Sequence, residues 1–269
     1  MTTPLLILDF SGTLSLEAVR FGAPDRLTSA LQQSGLYRLG IDTTRYWNDL
    51  VIPTWTEGST TRIGLQRLLA RQLQRHGIRP TVAIRAAGRF TRAYMAASII
   101  DPAWQTLFAT LRTERRAIPL IATDHYAEAT VQIADQLAHL QWTARALRWH
   151  HGQVRRWRVR TTPYPDLAFI ANSADLGTAK ADPVFWQRVQ SGIRTSISHV
   201  IVVDDFGASE NLADFYANPA RVERRRQQTI AATEQAFGVP VTTIWFTSDQ
   251  SIAQTVQEVL KKCVTCTDT

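Results

Sequence analysis

Four short stretches of the 269-residue chain end apolar runs in polar side chains that could do chemistry together. PLLILD (4–9) ends in Asp9 and is followed by Ser11, Gly12 and Thr13. IPLIAT (118–123) ends in Thr123, with Asp124 and His125 next to it. Lys180 follows LAFIANS (167–173), and HVIVVDD (199–205) ends in Asp204 and Asp205. The types fit one reaction class. A carboxylate can attack phosphorus and form an acyl phosphate. The charge that gathers there must be offset, and a Mg2+ held by carboxylates, a carbonyl and waters does so. A lysine adds a fixed positive charge, and a hydroxyl donates a hydrogen bond to a phosphoryl oxygen. Gly12 would let the backbone approach the phosphate closely.

These residues need a scaffold that brings distant segments to one edge. The four apolar runs, with PVTTIWF (240–246) as a fifth, read as buried strands separated by helical patterns. Strands alternating with helices imply βαβ crossovers and a parallel sheet, and ligands bind at the carboxyl ends of such strands. Asp101-Pro102 and Asp182-Pro183 read as helix starts, with Asp as N-cap and Pro at the first helical position. Between the first two strands, 16–98 is helical throughout. GLQRLLARQLQRHGI (64–78) sets Leu65, Leu68, Leu69 and Leu73 on one face and Arg67, Arg71 and Arg75 opposite. Gly77 suits a helix stop and Pro80 the next start. This stretch must sit outside the sheet. The segment 142–166 alternates around His151-Gly152 and reads as a hairpin or an irregular arm.

With the motifs in place, the chain resembles the haloacid dehalogenase (HAD) superfamily. LLILDFSGTL (5–14) is similar to its first motif, a strand ending Asp-x-Asp-Gly-Thr, and LIATD (120–124) to its second. ADLGTAKADPVFW (174–186) is similar to the third, with Ala181 where a proline is usual, and VIVVDDFGASEN to the fourth. The resemblance spans the chain apart from 16–98. It implies an α/β fold with a Rossmann-like parallel sheet in the order 3-2-1-4-5, a core of residues 1–15 and 99–269, and an all-α cap of the C1 type over 16–98. It implies Asp9 as nucleophile and magnesium ligand, Ser11 as a ligand through its backbone carbonyl, and Asp205 as the principal further ligand with Asp204 beside it. Thr123 and Lys180 would bind the phosphoryl group, with Gly12, Asp124 and Arg20 also at the phosphate. The implied activity is Mg2+-dependent hydrolysis of a small phosphate monoester.

One position departs from the pattern. The family's second aspartate, which protonates the leaving group and later activates water, is Ser11 here. A hydroxyl titrates far from neutral pH, and losing one acid/base group costs on the order of 10²–10⁴ in rate. Three readings follow: a hydrolase that draws its acid from elsewhere, a protein with a long-lived aspartyl-phosphate such as a phosphotransferase, or a phosphate-ligand or nucleic-acid binder with little turnover. Glu17, Arg20, Asp124 and His125 stand near enough in sequence to supply the missing group, although Glu17 and Arg20 also suit a solvated hinge and His125 an idle loop position. Attack on carbon, as in a dehalogenase, needs no metal and would leave the acidic pair unused.

Composition sets the outer bounds. Hydrophobic residues make up 45% and charged residues 20%, as expected of a globular enzyme. No run of ~18 apolar residues marks a membrane span. The N-terminus lacks the basic segment of a signal peptide, so a cytoplasmic location is expected. The net charge of +7 favours anionic partners, phosphate esters and nucleic acid among them. Arginines at 145, 148, 155, 156, 158 and 160 flank Trp149 and Trp157, a pattern that can track a nucleic-acid backbone; a basic hairpin whose tryptophans pack on the core is the favoured reading. Arg221, Arg224, Arg225 and Arg226 read as a solvated helix face. Tyr46, Trp47 and Trp55 are candidate substrate-wall residues that also suit a helical core. Cys263 and Cys266 form a lone CxxC, read as incidental thiols on a frayed tail.

Overall fold

A computed structural model describes residues 3–210 and 217–265 of the chain. Asn211 of the fourth motif and Cys266 lie outside the described residues.

The first strand, β1 (Thr3–Leu8), is followed by six α-helices: α1 (Leu16–Arg20), α2 (Pro24–Ser34), α3 (Thr43–Arg45), α4 (Trp55–Thr60), α5 (Leu65–Arg75) and α6 (Pro80–Ala97). The chain then alternates. It runs through α7 (Gln105–Glu114), β2 (Ile118–Thr123), α8 (Glu128–His139), β3 (Thr143–His150), β4 (Gln153–Arg158) and β5 (Leu167–Asn172). It ends with α9 (Ser173–Leu176), α10 (Pro183–Ile193), β6 (Ile197–Asp204), α11 (Pro219–Phe237), β7 (Val241–Trp245) and α12 (Ile252–Thr265).

The seven strands form one sheet in the order β4-β3-β5-β2-β1-β6-β7, parallel except for the β3–β4 hairpin. The five strands expected from the sequence therefore stand in the order 3-2-1-4-5, a Rossmann-like α/β sheet. The expected arm is more than an arm: β3 joins the sheet parallel to β5, and only β4 folds back. His151 and Gly152 both have positive φ (47° and 78°), the two-residue turn whose twist matches a hairpin.

Alternation along β1 explains the two cores. Leu5 and Ile7 point to one face, where Phe185, Trp186 and Val189 of α10 cover them. Leu6 and Leu8 point to the other, against Leu107 and Phe108 of α7, Ile133 of α8 and Val259 of α12. Each such side chain contributes roughly 1.5–3 kcal/mol by leaving water, which is why both faces of a parallel sheet read as apolar. Both Asp-Pro signals hold: Asp101 accepts from Ala103 N at 2.9 Å and Asp182 from Val184 N at 2.8 Å. Cys263 is fully buried in the α7–α8–α12 layer, so the tail packs at this point and does not fray there as expected.

The α1–α6 segment has its own apolar cluster. Leu65, Leu68, Leu69 and Leu73 of α5 are buried as their spacing requires, facing Ala83, Ala87 and Phe90 of α6 and Leu27 and Leu31 of α2. One side chain from the sheet layers, Tyr126, joins that cluster.

Candidate functional site

Register builds the site. Leu8 pairs with Ile121 on one side and Val203 on the other, so Asp9, Thr123 and Asp204 emerge at the same edge. Asp9 N donates to Val203 O at 2.9 Å, locking the first residue past β1 to β6. Ligand oxygens of Asp9, Asp204 and Asp205 lie within 4.8 Å of one another, all three residues buried.

Lys180 sits among these carboxylates. Its Nζ donates to Asp9 Oδ1 at 2.5 Å and to Asp204 Oδ2 at 2.8 Å. Its backbone is pinned at both polar atoms: the amide donates to Asp124 Oδ1 at 2.9 Å, and the carbonyl accepts from Trp186 Nε1 at 2.7 Å. Asp205 is held from beneath by backbone amides, Gly207 to Oδ1 and Ser209 to Oδ2, each at 2.9 Å. Gly12 is needed here, though not for the reason expected. A Cβ on it would lie 2.2 Å from Asp205 Oδ2, and its φ is +85°, so the glycine makes room for the aspartate and does not itself line the cavity.

The carboxylates crowd one another. Burial, together with the neighbouring Asp204 and Asp205 and against the pull of Lys180, pushes the Asp9 carboxyl well above its ordinary range. Burial and then Asp204 lift Asp205 to about 6. Burial also raises Asp124. Burial alone would lower Lys180, but attraction to Asp204, Asp9 and Asp124 outweighs it and holds the ammonium firmly protonated. One lysine against three close carboxylates leaves an excess of negative charge. A set of hard oxygen donors of this kind suits Mg2+.

Thr123 completes the floor. Thr123 lines the cavity at 1% exposure, and its buried Oγ1 has no hydrogen-bond partner among the described residues. A buried hydroxyl left so costs about 1–3 kcal/mol, which a ligand oxygen would remove. Ser11 also lines the cavity, and its Oγ donates to Glu210 Oε1 at 3.2 Å.

The cavity, about 90 Å³, runs from these residues up to the helical segment. Tyr46, Trp47 and Trp55 all line it while packing on neighbouring rings: Tyr46 lies 5.0 Å from Phe90 and Trp55 5.5 Å from Tyr126, centroid to centroid. His125 lines it as well. Burial depresses its pKa to about 4, its Nδ1 accepts from Tyr126 N at 2.8 Å, and its Nε2 meets Tyr94 Oη at 3.1 Å. It is therefore a neutral imidazole protonated on Nε2, not a proton donor at neutral pH.

Two expectations fail on helix phase. Arg20 is exposed and bonds Glu17 at 2.9 Å, outside the cavity, because α1 turns Ala18 and Val19 inward instead. Arg225 was expected on a solvated face, yet it lines the cavity beside Thr229, one turn further along α11. Sequence reasoning also missed Glu210, Phe21, Tyr94 and Tyr126. The acidic side chain five residues past Asp205 was the one legible signal among them.

The arginines at 145–160 are partly spent inside the fold. Arg148 lies 3.9 Å over Trp157 and bonds buried Asp175 at 3.0 Å, and Arg156 donates to Gly192 O at 2.6 Å. Arg160 pairs with Asp135 at 2.7 Å. No helix among the described residues is long and apolar enough to cross a membrane. Neither a protein-family model nor a curated protein matches the chain.

Proposed function

We propose that the chain is a HAD-like, Mg2+-dependent phosphohydrolase that acts on a small phosphate monoester through an aspartyl-phosphate on Asp9. The observation that carries this reading is convergence. A carboxylate, a buried ammonium, an acidic pair and an unsatisfied hydroxyl come from four separate segments to one buried floor.

Asp9 attacks phosphorus with one carboxylate oxygen while the ester P–O bond breaks, and the leaving oxygen takes up a proton. Lys180, already 2.5 Å from Asp9, holds positive charge against the phosphoryl oxygens as the carboxylate gives up its own. Thr123 donates its hydroxyl to one of those oxygens. Asp9, Asp204 and Asp205 would hold the Mg2+, which when bound supplies positive charge against the transferring group. Water then attacks the acyl phosphate and releases inorganic phosphate. Glu210 is the carboxyl that makes good the loss at Ser11, since it already receives the Ser11 hydroxyl at 3.2 Å within the cavity. The 16–98 helices act as the cap, excluding bulk water from the floor.

Ser11 also supports a second reading, in which the acyl phosphate persists and the protein transfers or merely binds a phosphoryl group. Phosphate release from an activated aryl phosphate, with and without Mg2+ and beside Asp9→Asn, separates the two. Metal-dependent turnover that disappears in the variant supports the hydrolase. A folded, Mg2+-binding protein without turnover rejects it.

A further inference from the structure

The two halves of the cavity differ in chemistry. The charged groups that line it all belong to the sheet edge, its loops or α11; the α1–α6 segment contributes none among the described residues. That segment offers Phe21, Tyr46, Trp47, Val51, Trp55 and Tyr94. The rings are braced against one another at edge-on or tilted angles. Tyr46 meets Trp47 at 5.2 Å and 73°, Trp55 meets Tyr126 at 5.5 Å and 89°, and Phe21 meets Tyr94 at 5.2 Å and 47°. Rings held in this way present fixed faces, so little order has to be imposed when a ligand arrives.

In this upper half His125 donates Nε2–H to Tyr94 Oη and accepts from Tyr126 N through Nδ1, a neutral stacked pair with ring centroids 5.5 Å apart. A polyhydroxylated body placed here would meet no charged partner from the α1–α6 wall among the described residues. An apolar ring gains by the same contacts. The cavity, about 90 Å³ with its floor included, is smaller than the roughly 150 Å³ that takes a benzene, so nothing larger than one ring is considered and its entry requires the helical wall to move outward.

We infer that the ligand is a small phosphate monoester whose body is a single flat, uncharged, apolar ring, seated between Trp47 and Trp55 with its phosphate on Thr123 and Lys180. The phosphate end rests on the phosphohydrolase reading; the body rests on the wall alone.

Calorimetric titration of the Mg2+-loaded protein with two phosphonates that cannot be hydrolysed tests the two parts separately. Benzylphosphonate should bind roughly 30-fold tighter than 3,4-dihydroxybutylphosphonate, the scale on which an apolar pocket discriminates. Trp47→Ala and Trp55→Ala should reduce that preference to within about threefold, Trp47→Phe should keep most of it, and inorganic phosphate should bind all four proteins alike. Equal affinities for the two phosphonates, or no binding of either, overturn the inference. Turnover reports independently. Equal kcat/KM for aryl and polyol phosphates would leave the hydrolase standing and overturn the ring. A phosphonate preference without turnover of any ester would keep the ring and overturn the hydrolase.

Discussion

His125 shows how burial fixes a protonation state. The unfolded chain takes up a proton near pH 6.5, while the folded residue resists it until about 4 because it is buried. Its contribution is thus complete above pH 6.5 and is lost as pH falls toward 4, on the order of 3 kcal/mol in all. Denaturant titrations at pH 7 and pH 4 should give a difference smaller by about that amount in His125→Asn, which does not titrate; equal pH dependence in both proteins would contradict the neutral imidazole. Glu210 carries the residue-scale test of catalysis. Glu210→Gln keeps an acceptor for the Ser11 hydroxyl but removes the proton, so kcat should fall by roughly 10²–10⁴ with KM little changed. A loss below about threefold would take Glu210 out of the reaction.

At the scale of elements, the helical wall is fastened to the sheet layers through helix termini. Both carboxylate oxygens of Glu128, the first residue of α8, accept amides that open α5: Leu65 N at 2.9 Å and Gln66 N at 3.2 Å. A carboxylate at a helix N-terminus satisfies orphan donors and complements the helix dipole. Gly64 makes the approach possible, because a Cβ there would stand 2.6 Å from Glu128 Oε1 and its φ of +82° disfavours any other residue. Glu128→Ala should cost about 1 kcal/mol and speed hydrogen exchange at Leu65 and Gln66. Gly64→Ala should cost about 1–3 kcal/mol through backbone strain. Unchanged exchange at both amides would show that the clasp does not hold the wall. The same wall contains a π-helix over Tyr46–Val51, in which Ile52 N donates to Trp47 O. Such a widened turn is common at functional sites, and here Tyr46, Trp47 and Val51 all reach the cavity.

For the whole molecule, the three aspartates set a conflict that folding alone does not relieve. Asp9 and Asp204–Asp205 bring negative charge to neighbouring strands with one lysine between them. A cation that binds the folded state only should stabilise it by about 2.7 kcal/mol at a hundredfold excess over its Kd. Thermal melts should therefore rise with Mg2+ at pH 7.5 and respond much less in Asp205→Asn. Because Asp205 titrates near 6, protons should compete as pH falls through that value and the shift should shrink. A Mg2+ response equal in the variant and the parent would place the cation elsewhere.

The sequence by itself determined five of the seven strands and the residues at their carboxyl ends, while the order of those five followed from the family resemblance. Apolar runs of strand length, Asp-Pro starts and a leucine stripe are local signals that need no partner to be read. Asp9, Thr123, Lys180, Asp204 and Asp205 follow from them, since each stands at or beyond the end of such a run. Tertiary structure decided what depends on phase and on contacts between distant segments. Arg20 and Arg225 changed places relative to the cavity because a helix face is set by packing, which a run of charges does not encode. Glu210 met Ser11 across 199 positions of sequence, and β3 entered the sheet only because β5 offered an edge for it. The ring-lined wall belongs to the same class: each aromatic was visible as a core residue, but which of them faces the aspartates is settled only when the helices dock over the sheet edge.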